Sequence, residues 1–340
     1  MGSLLEQMRL AVDLVRDSGL EVTDADRVTL QQLPGGWSRH SYALNVPIAA
    51  SRSRDLIVRV KPPGTLLETD VEAEYRVYAM LQAHDVPVPR VYGFNGNDDN
   101  PFGGPFFIME RLEGEAPNVW RRRDRQRLEE NWKRSGSLGR DLVEILSRIH
   151  TIQDPDAQRI VPQRSYTDVV ANWERVWGEA SLGPDPIMDS VFSWLREREP
   201  STSRPGLVHG DYRIGNTLLV DGRINGVIDW ELCHWGDTRF DLGYVSLAYL
   251  AGKFFEPVTE LISSVAEPEW FFHRYEQLTG LEADREVVRT YSALGAVSLI
   301  AILATGIRQY HAGRTSDIRM AWSRFAIPGL RQDLAQLMDW

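Results

Sequence analysis

The sequence predicts an α+β fold, β-rich in its first third and mostly helical beyond. Three observations predict it. Short apolar runs broken by turns fill Val28 to Met109, helical apolar spacing dominates after Gly114, and one β-like island, Leu207 to Trp230, sits inside the helical part. At 340 residues the chain is too long for one small core and suits two domains. The composition shift falls near Glu110 to Gly114. It divides the chain into an N-terminal lobe at 1–109, a connector at 110–114 and a helical C-terminal lobe at 115–340.

Leu4 to Ser18 has helical spacing (Leu4, Met8, Ala11, Val12, Val15) and stops at Gly19. Strands are expected at Val28 to Leu33, Ser41 to Val46 and Leu56 to Lys61, the first ending at Pro34-Gly35-Gly36 and the third at Pro62-Pro63-Gly64. Asp70 to Ala83 reads as a helix with Val71, Tyr75, Tyr78 and Leu81 on one side. Prolines keep Val86 to Val91 extended, and Phe106 to Met109 is a further apolar run. Helices follow at Ser137 to Ile152, Thr167 to Ala180, Pro186 to Arg198, Leu242 to Ala251, Glu269 to Thr279, Ala283 to Thr305 and Asp317 to Phe325. A β-rich lobe, a short connector and a helical lobe enclosing a hairpin is the plan of protein-kinase-like bilobal folds.

Composition excludes several roles. Hydrophobic residues are 43% and charged ones 25%, an ordinary soluble balance. A net charge of −10 argues against bulk binding of nucleic acid. The run Arg121, Arg122, Arg123, Arg125, Arg127 is interleaved with Asp124, Glu129 and Glu130, and reads as a solvated helix face. The most apolar stretch, Ala293 to Ala304, is shorter than a membrane span, so no membrane partner is expected. Met1 to Leu10 lacks the apolar core of a secretory signal. Cys233, the one cysteine, allows no internal disulfide and no multi-cysteine zinc site. A cytoplasmic location is the expectation. Lysines are scarce: Lys61, Lys133 and Lys253.

The island carries the chemistry. It reads Leu-Val-His209-Gly-Asp211-Tyr-Arg213-Ile-Gly-Asn216, then two apolar strands around Asp221-Gly222, then Asp229. Asp211 and Asn216 stand five apart, as in the kinase catalytic loop, and Asp-Gly is a strong hairpin signal. Asp229 ends the second strand, where a metal-binding aspartate would stand. Phosphoryl transfer is mostly positioning and charge neutralisation. It needs a carboxylate to accept the attacking hydroxyl's proton, here Asp211, and hard oxygen ligands for Mg2+, here Asn216 and Asp229. His209 is read as ordering the loop backbone rather than acting as a base. Arg213 either meets phosphate or substrate, or faces solvent. Asp and Asn in a turn ordinarily make only local hydrogen bonds; three polar residues at kinase spacing in one apolar hairpin go beyond that.

His209-Gly-Asp211-x4-Asn216, followed by Ile228-Asp229-Trp-Glu and Gly236-Asp237-x3-Asp241-Leu-Gly, resembles the aminoglycoside phosphotransferase superfamily. The nearer likeness is to its branch fused to, or encoded near, acyl-CoA dehydrogenases. Gly35-Gly36-Trp-Ser38, Val58-Arg59-Val-Lys61-Pro-Pro-Gly, Glu74-Tyr-Arg-Val, Val86-Pro-Val-Pro and Phe106-Phe-Ile-Met109-Glu110 match that branch too. The likeness covers roughly Leu33 to Leu250 and implies several roles. Gly35, Gly36 and Ser38 form the turn over a triphosphate, and Phe107 to Leu112, with Met109 and Glu110, meet the adenine. Glu74 pairs with the phosphate-binding cation, and Asp241 braces the catalytic loop. Asp237 serves either that bracing or as a helix N-cap. The cation is Arg59, which aligns best, or Lys61 beside Pro62. Both lie on the Ile57 face of their strand, and arginine is always charged and bidentate toward phosphate.

The expected donor is ATP or GTP with Mg2+, and the expected acceptor a small-molecule hydroxyl. Polycationic antibiotics call for clustered carboxylates, whereas Glu256, Glu260, Glu267, Glu269 and Glu276 are spread out. Aromatics such as Trp230, Tyr244, Phe254, Phe255, Phe271 and Tyr275 are plentiful, most of them expected in the core. An apolar or acyl acceptor fits better, and the resemblance points to a hydroxyacyl compound. The alternatives are an aminoglycoside, choline- or sugar-type kinase, and a nucleotide-binding pseudokinase, for which only Arg59 in a lysine place speaks.

Overall fold

The computed structural model describes residues 2–34, 38–49, 52–63, 65, 67–252 and 260–340. Gly35 and Gly36 lie outside the described residues, as do Gly64, Lys253, Phe254, Phe255 and Glu256. The chain divides into two compact units, Met1–Glu113 and Gly114–Trp340, the division falling inside the expected connector.

Unit 1 holds α1 (Leu4–Asp17), β1 (Thr29–Gln32), β2 (His40–Ala49), β3 (Arg52–Val60), α2 (Val71–Leu81), β4 (Val91–Asn95) and β5 (Phe106–Glu110). Among the described residues the strands form one antiparallel sheet in the order β1-β2-β3-β5-β4. Alternation decides its two faces. Leu56, Val58 and Val60 of β3, Leu44 and Val46 of β2, and Phe106 and Ile108 of β5 share one core with Val12 and Val15 of α1. Each fully buried side chain of this size contributes about 1.5–3 kcal/mol. Phe107 points the other way and meets Tyr75 and Tyr78 of α2. Helix α1 starts in a capping box between Ser3 and Glu6, and α2 starts at Asp70, whose carboxylate accepts from the Glu72 and Ala73 amides. The sequence reading leaves out β4. It follows directly on the proline-extended stretch and closes the edge of the sheet, with a register shift at Gly93.

Unit 2 holds α3 (Arg122–Arg134), α4 (Ser137–His150), α5 (Ala157–Ile160), α6 (Tyr166–Ala180), α7 (Pro186–Arg196), β6 (Pro205–Val208), β7 (Thr217–Val220), β8 (Arg223–Val227), β9 (His234–Asp237), α8 (Arg239–Val245), α9 (Pro268–Thr279), α10 (Arg285–His311), α11 (Ile318–Trp322) and α12 (Ile327–Leu337). Helix α10 is the axis on which α6, α8 and α12 pack. It starts two residues later than expected, where the Asp284 side chain caps it, and runs six residues further, through Gly306 to His311. By length and composition it matches a membrane span, yet 78% of its most apolar window is buried inside the unit. The helix expected at Leu242 to Ala251 is instead α8, beginning at Arg239, followed by a 3-10 turn at Ala248–Ala251. A Cβ on Gly243 would come 2.5 Å from the Ser292 backbone nitrogen, so glycine lets α8 lie directly against α10. Strand β9, four residues without alternation, is visible only through its pairing with β6.

Candidate active site

In unit 2, β6 delivers the chain to His209 and Gly210. Gly210 has φ +84°, and a Cβ there would stand 2.5 Å from the Leu232 carbonyl oxygen, so only glycine admits this path. Asp211 follows. The chain then makes a 3-10 turn, Ile214–Asn216, and enters the β7–β8 hairpin, whose tip residues Asp221 and Gly222 both have positive φ, as an Asp-Gly hairpin turn requires. The Ile228 amide donates to the Asn216 carbonyl at 3.0 Å, so the hairpin returns Asp229 to the level of Asn216.

Asn216 holds Asp211 twice, its amide nitrogen donating to the Asp211 carbonyl at 2.9 Å and to Oδ2 at 2.6 Å. Arg213 Nε donates to Oδ1 at 3.0 Å. A Cβ on Gly215 would collide with the Arg213 guanidinium, so glycine lets that arginine fold back onto Asp211. Burial opposes the Arg213 charge, but the Asp211 carboxylate, with Asp229 adding to it, outweighs burial and raises the guanidinium above its ordinary range. Asp229 thus lies within electrostatic reach of the cation that touches Asp211. Its own φ is +73°, a left-handed conformation costly for a residue other than glycine and typical of functional sites.

His209 is fully buried. Its Nδ1 accepts from the Asp211 amide at 3.2 Å, and Nε2 donates to the Ile228 carbonyl at 3.1 Å. Both ring nitrogens are therefore committed to backbone, tying the Asp211 loop to the strand before Asp229. Asp241, at the start of α8, accepts from the His209 amide at 2.8 Å and the Gly210 amide at 3.0 Å. Asp237 does not cap α8. It accepts from the Arg239 backbone and side chain, and Thr238 is the capping position, without a side-chain bond.

The residues here fit Mg2+. The Asn216 amide nitrogen is spent on Asp211, which leaves its side-chain oxygen as the atom that would ligate a metal, and the Ile228 amide bond to the Asn216 backbone brings the next residue, Asp229, to the same level of the hairpin. An amide oxygen and a carboxylate are hard oxygen donors of the kind magnesium prefers. Among the described residues, no group of three or more His, Cys, Asp or Glu side chains is placed to hold a metal ion.

In unit 1, Glu74 of α2 is fully buried between two guanidiniums. Arg59 Nη2 lies 3.3 Å from Oε1, and Arg39 Nη2 3.2 Å from Oε2. Glu74 is thus an ion-pair partner rather than a solvated helix charge. Lys61 turns elsewhere, donating to the Thr69 carbonyl at 2.8 Å and meeting Glu68 at 3.4 Å. Ser38 precedes β2. Met109 and Glu110 end β5, where Glu110 pairs with Arg54 at 3.3 Å, and Leu112 follows the strand.

Sequence reasoning missed Arg39, Tyr244 as a neighbour of Asp211, and His150 and Tyr275 behind Asp241. Burial, and then the Asp211 carboxylate, push the Tyr244 hydroxyl far above the tyrosine range. Nothing local marks Arg39. Tyr244 lay among the aromatics assigned to the core, and it is buried there.

Known proteins resemble this chain in sequence and in fold. A profile of the "Phosphotransferase enzyme family" matches residues 29–260. Acyl-CoA dehydrogenase family member 10 of Mus musculus is 30% identical over 227 residues, taking in 65% of this chain and 20% of that protein. Acyl-CoA dehydrogenase family member 11 of Rattus norvegicus is 26% identical over 273 residues, 72% of this chain and 33% of that protein. The chain therefore spans only about a fifth to a third of the length of these relatives. Among solved structures, a Ralstonia eutropha JMP134 protein assigned to the aminoglycoside phosphotransferases superposes with TM-score 0.74 at 21% identity, over 100% of this chain and 99% of the other. A Plasmodium vivax ethanolamine kinase gives 0.60 at 14% identity, over 91% and 83%. Aminoglycoside phosphotransferase APH(4)-Ia, solved as a ternary complex with ADP and hygromycin B, gives 0.55 at 16%, over 95% and 98%. At such identities the structural likeness is one of fold, α+β and kinase-like.

Proposed function

This chain belongs to the phosphotransferase enzyme family, and from that premise we propose that it transfers the γ-phosphoryl group of ATP to a hydroxyl of a small molecule with Mg2+. One observation carries the reading. Asn216 grips Asp211 at 2.6 Å within the hairpin that returns Asp229 to the same place, so a base and two metal-ligating oxygens share one loop.

Asp211 accepts the proton of the attacking hydroxyl. Asn216 and Arg213 fix its two oxygens, so the carboxylate is oriented before the acceptor arrives. Asn216 and Asp229 hold the metal, which when bound neutralises charge on the phosphate oxygens. Arg213 remains charged beside the base and supplies a second cation where negative charge develops. In unit 1, Arg59 serves the nucleotide phosphates and Glu74 sets its position. ATP is favoured as donor because the fold neighbour APH(4)-Ia was solved with ADP.

For the acceptor we favour a hydroxyacyl compound, supported by the relatives named for acyl-CoA dehydrogenation. An aminoglycoside fits less well. Glu269 and Glu276 are both spent on Arg285. The aromatics Trp230, Tyr244, Phe271 and Tyr275 are buried in the core, so they do not speak for either acceptor.

The test is thermal denaturation with ATP, with and without Mg2+, followed by a screen of hydroxylated metabolites including hydroxyacyl-CoA esters. ATP at about 100 times its dissociation constant stabilises by about 2.7 kcal/mol. Asp211→Ala keeps that shift and loses transfer; Asp229→Ala loses the magnesium-dependent part. A melting temperature indifferent to Mg2+ and ATP together sinks the reading.

A further inference from the structure

Behind the catalytic loop lies a chain of buried polar groups that the proposed reaction does not itself use. Asp241 is fully buried and accepts three hydrogen bonds. Two come from the His209 and Gly210 amides, at 2.8 and 3.0 Å. The third comes from Nε2 of His150, the last residue of α4, at 3.2 Å. On its other side, His150 Nδ1 lies 2.8 Å from the hydroxyl of Tyr275 in α9. His150 and Tyr275 are themselves buried, and their rings meet edge to face at 5.6 Å.

Proton bookkeeping fixes this network. A carboxylate only accepts, so His150 Nε2 carries a proton toward Asp241. The other ring nitrogen, Nδ1, shares a hydrogen bond with the Tyr275 hydroxyl, so the ring is held from both sides. Burial by itself raises the Asp241 carboxyl; His150, through its hydrogen bond and its electrostatic attraction, and then the His209 side with its backbone amide bring it below the ordinary range. Three helices, α4, α8 and α9, thus converge on two backbone amides immediately before Asp211. The loop has little room to yield, because even a Cβ added at Gly210 would clash with Leu232.

We propose that His150 and Tyr275 are positioning residues for the base: they orient Asp241, which fixes the backbone of His209 and Gly210 and through it the place of Asp211. The proposal rests on Asp211 being the base of the reaction described above. Neither residue meets a reactant. Their removal therefore lowers turnover without changing nucleotide affinity, in the manner of outer-shell partners of metal-ligating histidines, where the loss is about 10- to 100-fold.

The experiment uses the full chain with ATP and Mg2+, reading turnover as ATP hydrolysis with water as acceptor, nucleotide affinity by calorimetry, and exchange of the His209 and Gly210 amides with deuterium. His150→Ala is expected to lower kcat about tenfold or more with the dissociation constant held within about twofold, and to speed exchange of both amides. His150→Gln, which keeps a donor toward Asp241, recovers part of both. Tyr275→Phe moves both in the same direction by less. Wild-type kcat together with wild-type amide exchange in these variants overturns the proposal. If His150→Ala does not fold, Tyr275→Phe and His150→Gln decide by the same two readings. A wild-type chain that neither binds nor hydrolyses ATP counts against the phosphotransferase reading instead. Amide exchange then still reports on the network, and unchanged exchange in the variants overturns the proposal.

Discussion

The two charged clusters of this protein are built on opposite plans. In unit 2, Asp211, Asn216 and Asp229 come from one hairpin and are held by backbone and short-range bonds. In unit 1, Arg39, Arg59 and Glu74 come from the start of β2, the end of β3 and α2, and meet side chain to side chain. Exposure differs as well. The Glu74 side chain is 0% exposed and those of Arg39 and Arg59 are 2% and 10%, whereas Asp211 and Arg213 stand at 18% and 27%. A dry ion pair is costly to break, because each charge has left water behind. A part-exposed pair can exchange partners with an incoming reactant at small cost. On the proposed reading, the unit 1 contact holds its cation rigidly in place, while the unit 2 contact stays exchangeable.

The strongest way to break that contrast is to remove one carboxylate from each cluster. Glu74→Ala deprives two buried guanidiniums of their shared partner and is expected to cost about 3–5 kcal/mol of stability. Asp211→Ala removes a partly exposed carboxylate and should cost about 1 kcal/mol or less, while abolishing transfer. Denaturant unfolding of both variants reads the difference. Equal destabilisation would mean that the unit 2 cluster is structural too.

The plan of the two clusters also explains what the sequence revealed. Asp211, Asn216 and Asp229 were legible because their spacing and the Asp221-Gly222 turn together dictate where the chain returns. Strand alternation placed Arg59 and Lys61 on one face, but could not choose between them. The choice depends on where α2 lies against the sheet, a packing fact no local pattern carries. Arg39 was invisible for the same reason. His150 and Tyr275 read as the end of one amphipathic helix and a core aromatic of another, and only the meeting of α4, α8 and α9 gives them a partner in Asp241. Boundaries drifted where tertiary contact overrides propensity. Gly243 shifted α8 toward its N-terminal side, and β9 exists because β6 offers it an edge.

A second difference between the units lies in acid sensitivity. His234 of β9 has its imidazole lowered from 6.5 to about 4, chiefly by burial, with Arg164 adding to the shift and the Leu232 carbonyl and Asp241 opposing it. The unfolded chain takes up the proton as pH falls through 6.5, and the folded one does not until about 4. Stability is therefore full above pH 6.5 and falls as the solution is acidified across that window, by about 3 kcal/mol in all. His234→Phe should flatten this slope when unfolding free energy is measured from pH 7 to 4. An undiminished slope would place the acid-sensitive group elsewhere.

The finest test concerns the two cations of β3. Arg59 meets Glu74 inside unit 1, while Lys61 is tied to the Thr69 carbonyl and a solvent-facing Glu68. If buried pairing marks the cation kept in place for phosphate, Arg59→Ala should weaken binding of magnesium-ATP by about tenfold or more, the loss of one hydrogen bond to a charged group being about 1.5–3 kcal/mol. Lys61→Ala should leave affinity within about twofold, since its charge is already spent on partly exposed neighbours. Arg59→Lys separates charge from shape. A lysine keeps the positive charge but not the two-pronged donor set, so an intermediate affinity is expected. Calorimetry on the three variants decides the matter. Should Lys61→Ala prove the damaging change, the ion pair with Glu74 is scaffold alone, and the dry cluster of unit 1 has no part in turnover.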